Sequence, residues 1–282
     1  MKKLLLMALV FTASFTVNAQ VETPQPSPFS KVEQKVGLTD VTLEYSRPGM
    51  KGRTIFGDLV PYGKLWRTGA NANTKISFSN DVIVGGKTLK AGDYAIFVTP
   101  SAKSWDVVFY SDATNWGTPE KWDESKVASK VTAEVYPMPV TIETFTMTFD
   151  DLTSNSAVLG MLWEKAYVGV KFEVPTDADV SASIEKTMAG PGAGDYFSAA
   201  RYYLTEGKDI NKAVMWIDKA VELTKDNPRF WYLRQQSLIH AKAGKKKSAI
   251  VAAKASLAGA EKAGNADYVK MNKASLKEWG AM

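Results

Sequence analysis

Apolar and polar residues alternate with period two in Lys31–Val36, Val41–Tyr45 and Lys75–Ser79, the pattern of strands with one buried face. Val82-Ile83-Val84 and Lys87-Thr88-Leu89 flank Gly85-Gly86, a hairpin signal because paired glycines supply the positive φ of a tight turn. Tyr94–Val98, Trp105–Tyr110, Lys130–Val135, Thr141–Phe149, Ala157–Trp163 and Tyr167–Val174 continue the series. About ten short strands separated by turn signals predict an antiparallel two-sheet β-sandwich over residues 29–174.

The period changes after Pro175. Residues 175–194 read as a connector, with a short helix over Ala178–Ala189 and a break at Gly190-Pro191-Gly192-Ala193-Gly194. From 195 to 282 apolar residues recur every three or four positions, as in Ile210, Ala213, Val214, Ile217, Ala220 and Val221, which predicts amphipathic helices. Asp209 is placed to cap one of them, Pro228 to open the next and Gly244 to close it. Gly207 and Gly244 repeat at an offset of 37, Ala213 and Ala249 at 36, and Ala220 and Ser256 at 36. A helix-turn-helix unit of this period resembles tetratricopeptide repeats. The resemblance rests on Ala213, Ile217 and Ala220 and on Ala200, Tyr203 and Gly207. It departs by one extra residue between Gly207 and Ala213 and by an alanine-rich second unit. The chain is therefore expected to be α+β in two segregated domains, with a helical repeat module that docks a partner protein or packs as a lid.

The first nineteen residues carry a basic start (Lys2, Lys3), an apolar stretch (Leu4–Phe15) and the small-residue site Val17-Asn18-Ala19. That is the pattern of a signal peptide cleaved after Ala19, and it predicts export to the periplasm or beyond. Residues 20–28 are expected to be disordered, and no further segment is apolar enough to span a membrane. Cysteine is absent and His240 is the single histidine. These counts exclude thiol chemistry and histidine-rich metal sites within one chain. Residues 20–175 carry a net charge of −2 and residues 195–282 one of +7. The basic half reads first as a solvated lysine face and secondly as a surface for an acidic partner, and nucleic acid is not expected for an exported chain.

The chemistry concentrates in one stretch, SRPGMKGRTIFGDLVPYGKLWRTGAN at Ser46–Asn71. A connection this long inside a compact domain is uncommon unless it has a function. Its Ser46-Arg47-Pro48, Gly52-Arg53, Ile55-Phe56-Gly57, Leu59-Val60-Pro61-Tyr62-Gly63 and Trp66-Arg67-Thr68-Gly69-Ala70-Asn71 resemble an uncharacterised family of exported bacterial proteins, domain-of-unknown-function family 2911. So do the later Gly86-Lys87, Leu89, Ala91-Gly92, Tyr94, Trp116-Gly117 and Trp163-Glu164. The resemblance covers residues 29–174 and implies neither an activity nor a cofactor.

Arg47, Arg53 and Arg67 offer forks that grip carboxylate, phosphate or sulfate. Tyr62, Phe56 and Trp66 offer stacking faces, and Asn71 and Asn73 offer amides for hydroxyl groups. The candidate ligand site is thus Arg47, Arg53, Tyr62, Trp66, Arg67 and Asn71, for an anionic or glycan ligand of the cell envelope. The competing reading makes the arginines staples on loop carbonyls or on Glu44, Asp58 or Glu164. Among the remaining tryptophans, Trp105, Trp163, Trp216 and Trp231 read as core, and Trp116 and Trp122 as loop residues free to stack. A non-catalytic binding protein without metal or cofactor is the expected function. A hydrolase using a carboxylate pair from Glu44, Glu143, Glu164 or Asp106 is the enzyme alternative, and a structural envelope component without a small ligand is the other. A serine–histidine hydrolase would need His240, which falls on a predicted helix of the second half, where a lone histidine is more often packed or solvent-facing. Asp150-Asp151 and Asp177-Ala178-Asp179 lack the spacing of a calcium loop.

Overall fold

The computed structural model describes residues 23–187 and 190–282, and the signal-peptide segment falls outside them. The chain forms two compact units that divide between Pro175 and Thr176.

The first unit is a nine-stranded, wholly antiparallel sheet. Its strands are β1 (Phe29–Val36), β2 (Thr39–Ser46), β3 (Thr74–Phe78), β4 (Val82–Val84), β5 (Lys87–Leu89), β6 (Gly92–Pro100), β7 (Ser104–Tyr110), β8 (Val127–Asp150) and β9 (Ser156–Glu173), in the order β1-β2-β3-β6-β7-β8-β9-β4-β5. Two pairs of expected strands are joined: Lys130–Val135 with Thr141–Phe149 in β8, and Ala157–Trp163 with Tyr167–Val174 in β9. The β8 strand is long because it serves both layers. Its first third pairs with β7 and the remainder pairs with β9. The layers face one another across one core of Leu43, Ile76, Ile96, Val107, Phe145, Leu159, Trp163 and Phe172. Phe78 of β3 meets Phe172 of β9 with ring centroids 5.6 Å apart.

The period-two alternation fails in Ala95-Ile96-Phe97-Val98 and Val107-Val108-Phe109-Tyr110, where every residue is buried. These strands are covered on both faces. Ile96, Val98, Val107 and Phe109 join the main core, whereas Ala95, Phe97, Val108 and Tyr110 form a second cluster on the outer face. Leu65 and Trp122 close that cluster from the two long connections. Trp122 stacks on Tyr110 at 4.6 Å and meets Phe97 edge-on at 5.6 Å.

The second unit contains α1 (Thr176–Thr187), α2 (Ala193–Thr205), α3 (Ile210–Glu222), α4 (Phe230–Lys242), α5 (Lys246–Lys262) and α6 (Ala266–Glu278). Each of α2 to α5 packs on the next, and α2 also touches α4 as α4 touches α6. Asp209 caps α3 through the amides of Asn211 and Lys212. Gly207 and Gly244, at φ +64° and +75°, end α2 and α4. There the amides of Lys208 and Lys245 reach back to the carbonyls of Tyr203 and His240, the bond that satisfies an orphaned helix-end carbonyl. The alanine-rich α5 packs closely on α4. A side chain at Gly259 would fall 2.9 Å from Cβ of Phe230, and the Ser256 hydroxyl donates to the Phe230 carbonyl at 2.7 Å. Trp231, read from sequence as core, is 40% exposed.

Candidate functional site

The long connection between β2 and β3 runs along two strands in turn. Residues 48–50 lie on β8: the Phe145 amide donates to the Pro48 carbonyl at 2.9 Å, and the Met50 amide to the Glu143 carbonyl at 2.8 Å. The β8–β9 register breaks between Ile142 and Thr146, so the connection takes up backbone groups that β9 leaves unpaired. Further on, Trp66 forms an antiparallel bridge with Val98 of β6, with amide–carbonyl distances of 2.8 Å in both directions.

The bridge at Trp66 has a geometric consequence. Trp66 faces Val98 and Thr74 faces Ile96 on the same edge of β6. Residues 67–73 are therefore an excursion from a single strand line, and Arg67 and Asn73 flank its neck at the level of Phe97. The Thr74 hydroxyl donates to the Thr68 carbonyl across that neck. Thr68 is fully buried with φ +57°, and Asn71 has φ +58°. A β-branched residue in the left-handed region is a true backbone outlier, costing on the order of 1–3 kcal/mol. At Gly69, φ +143°, a side chain would sit 2.9 Å from the Ser46 carbonyl oxygen.

The three arginines have separate surroundings. Arg47 donates from Nε to the Phe145 carbonyl at 3.1 Å and from Nη2 to the Thr146 hydroxyl at 2.7 Å. Arg53, exposed, donates to the carbonyls of Met50 and Gly49 in its own loop, at 2.9 and 2.7 Å. The Arg67 side chain has neither a hydrogen bond nor an ion pair among the described residues, and its Nε is buried without a partner. Asn73 is 8% exposed, and both its Nδ2 and its Oδ1 are buried without partners. Leu65 packs on the outer-face cluster while Trp66 packs inward. Alternation then sends Arg67 outward, on the side of Phe97. The Arg67 stem runs beside Gly117, whose missing side chain would touch Cδ at 3.8 Å. The adjoining Trp116 is 79% exposed.

The other expected site residues are occupied within the fold. Trp66 stacks near-parallel on Trp163 at 5.9 Å, meets Trp105, Phe145 and Phe56 edge-on, and donates to the Gly69 carbonyl at 3.1 Å. Asn71 donates to the Ser27 carbonyl and the Ser46 hydroxyl, each at 3.2 Å, and so ties down the segment before β1. Tyr62 is 47% exposed and lies over Gly57. Asn73, an amide singled out only in passing by sequence, is the residue that burial brings to the Arg67 neck.

The carboxylates considered for hydrolysis each hold a structural partner. Glu44 pairs with Lys75 directly across β2–β3 at 2.8 Å, which raises the lysine pKa. Glu143 accepts from the Lys51 amide at 2.8 Å, and Glu164 from the Phe56 amide at 3.3 Å. Asp106 is held below its ordinary value by Lys130 and the Thr132 hydroxyl. The connection over Arg67 is anchored at its ends. Asp112 binds Lys126 at 2.7 Å and the Thr114 hydroxyl at 2.7 Å, which lower its pKa to about 2, and the Asp123 amide donates to the Tyr110 hydroxyl at 3.3 Å. In the helical unit His240 is buried with Nε2 at 2.8 Å from Asp218 of α3. Among the described residues no group of three or more metal-ligating side chains comes together, and no helix is long and apolar enough to cross a membrane.

Residues 27–172 match the family described as protein of unknown function DUF2911. No curated protein and no solved structure matches the chain.

Proposed function

We propose that this chain, which belongs to the DUF2911 family, is an exported, non-catalytic binding protein whose sheet domain holds a small anionic ligand on Arg67. One observation carries the reading: the buried Nε of Arg67 and both amide atoms of Asn73 lack protein partners at the neck of one strained excursion. Buried polar groups are almost always paired, so a set left open together points to a partner from outside. Arg47 bonds a carbonyl and a hydroxyl of β8 and Arg53 two carbonyls of its own loop, so both act as staples and Arg67 is left as the anchor. The test is calorimetric titration of the mature chain with acetate, inorganic phosphate and sulfate at constant ionic strength. At least one anion should bind, and Arg67→Gln should weaken it tenfold or more with the fold intact by circular dichroism. Failure of all three anions, or unchanged binding by the variant, rejects the reading.

A second reading concerns the helical unit, which we take as tetratricopeptide-like. Its support is the pair of hairpins α2–α3 and α4–α5, whose first helices touch and end on equivalent left-handed glycines. Modules of this kind dock protein segments, and the net charge of +7 over residues 195–282 selects an acidic one. Cross-linking in envelope fractions should capture a partner with the native chain and lose it when Lys246 and Lys247 are both changed to glutamate.

A further inference from the structure

We propose that the chain forms a symmetric dimer in which β1 pairs, antiparallel, with β1 of a second copy. β1 stands at one end of the strand order, and among the described residues only β2 pairs with it. The Arg47 amide donates to the Pro28 carbonyl at 2.9 Å, one step before the Phe29–Ser46 pair. That bond fixes the phase of the ladder, since backbone groups alternate between the two edges of an antiparallel strand. Ser30, Val32, Gln34 and Val36 therefore bond β2, and Phe29, Lys31, Glu33 and Lys35 turn their amides and carbonyls to the open edge. The side chains of the same four residues are exposed, so charge and hydrogen bonding act at the same positions.

The alternation of charge selects the register. Like charges directly opposite one another destabilise a strand pair, and opposite charges stabilise it. Glu33 against Glu33 also sets Lys31 against Lys35, and Lys31 against Lys31 fails for the same reason. Lys31 against Glu33 of the second copy brings opposite charges together on both sides of the two-fold axis. Lys31 and Glu33 already pair within the strand, and in the dimer the four groups alternate in sign around a closed square. The same register sets Val32 against Val32, Ser30 against Gln34 and Phe29 against Lys35. Every outward amide and carbonyl from Phe29 to Lys35 is then paired. The Lys35 carbonyl, capped by the Gln34 side-chain amide at 2.9 Å, takes its new bond on the other lone pair. Val32 packs at the margin of the main core, and its meeting with the second Val32 carries that core across the axis. Phe29 is 66% exposed. Lys35, whose ammonium is held by Asp40 at 2.6 Å, lays its stem over it. Glu33 against Lys35 alternates the charges as well, but it runs Lys31 onto Gly37 in the turn, at φ +56°, and leaves Phe29 bare. Charges on an edge strand ordinarily repel intruding strands. Here their alternating sign admits a strand of complementary pattern, which a second copy supplies.

The experiment is sedimentation velocity of the mature chain over a wide range of concentration. The native chain should pass from monomer to dimer. Glu33→Lys should weaken the dimer about tenfold or more, because Lys31 then faces a lysine, and adding Lys31→Glu should restore it. The chain has no cysteine, so Val32→Cys gives a single thiol that meets its own copy on the axis. Position 32 falls in a non-hydrogen-bonded pair, where Cα atoms approach to about 4.5 Å, within reach of a disulfide. Under a mild oxidant Val32→Cys should run as a covalent dimer, and Gln34→Cys, which faces Ser30, should not. Glu33→Pro removes an outward amide and leaves the bonds to β2 in place, so it should be monomeric with the fold intact by circular dichroism. A native chain that stays monomeric at every concentration overturns the proposal. So does a dimer that Glu33→Lys or Glu33→Pro leaves unchanged, a Glu33→Lys monomer that Lys31→Glu does not rescue, or a Gln34→Cys chain that cross-links as readily as Val32→Cys.

Discussion

A buried asparagine with no partner lowers the stability of the empty protein, and Asn73 gives that statement a sign that can be measured. Its two amide atoms are both buried without a hydrogen bond in the protein. Leaving a buried polar group unpaired costs about 1–3 kcal/mol. Leucine matches asparagine in side-chain branching but is bulkier, and position 73 precedes Thr74, the partner of Ile96, which sets it at the level of Phe97 of the apolar outer-face cluster. Asn73→Leu removes both unpaired atoms, each worth that penalty, and adds apolar contact, against an overpacking cost of about 1–3 kcal/mol. The net expectation is a gain of about 1–2 kcal/mol, or roughly 3–6 °C in Tm for a domain of about 150 residues. Urea denaturation followed by sheet circular dichroism reads it as a higher midpoint at unchanged slope. Asn71→Leu is the opposing control. Asn71 donates to the Ser27 carbonyl and the Ser46 hydroxyl and sits at φ +58°. Its loss, together with a γ-branched side chain forced into the left-handed region, should destabilise by about 2 kcal/mol. Two asparagines two residues apart thus carry opposite predicted signs. A loss of stability of more than about 1 kcal/mol in Asn73→Leu refutes the reasoning, because Asn73 would then hold the fold rather than wait for a ligand.

Other residues carry predictions of the ordinary kind. Arg47→Ala removes the bonds to the Phe145 carbonyl and the Thr146 hydroxyl; it should cost about 1–3 kcal/mol in urea denaturation while anion binding at Arg67 stays as it was. Tyr45→Phe deprives the Met147 amide of the hydroxyl it donates to at 2.9 Å; with Tyr45 and Met147 both buried, a loss of about 1–3 kcal/mol is expected in the same assay. Asp112 has a folded pKa lowered to about 2 by Lys126 and Thr114, so its contribution is complete above about pH 4 and disappears as pH falls through about 2. Tryptophan fluorescence from Trp116 and Trp122 should accordingly hold steady from pH 7 to pH 4 and change only on further acidification. Asp112→Asn should remove that step.

The architecture was legible because it follows from periodicity. Alternation in Val41–Tyr45 and the three-to-four spacing of Ile210–Val221 each report one buried face, and the structure has a strand and a helix there. What failed was the count of strands in β8 and β9. Glu164 adopts φ +55° in the middle of β9 and stays within the strand, because β8 bulges opposite it and residues 48–50 fill the break. Such a compensation comes from residues about a hundred positions away, and no local pattern carries it. Trp231 misled for a related reason: an apolar helical stretch does not say which of its large residues lies on the covered face.

The candidate site shows where residue type stops being informative. Arg47, Arg53 and Arg67 are alike in sequence: each follows glycine, serine or tryptophan in one connection, and each carries the same fork. Their fates are decided by what lies across the fold. Arg47 meets a β8 carbonyl 98 residues away, Arg53 finds carbonyls three and four residues back, and Arg67 finds none. A guanidinium becomes a staple wherever the backbone leaves carbonyls to satisfy, as it does at the β8 bulge. At the neck between Trp66 and Thr74 the Thr74 hydroxyl donates to the Thr68 carbonyl and the Trp66 indole to that of Gly69, and Arg67 reaches neither. The Thr74 hydroxyl thus holds the Thr68 carbonyl and Asn71 reaches out to Ser27 and Ser46, while Arg67 and Asn73 are left over. A fold under selection for stability alone would have paired or replaced them, as the Asn73→Leu measurement is designed to reveal. Their lack of a protein partner is intelligible if the missing partner is a molecule that arrives after folding.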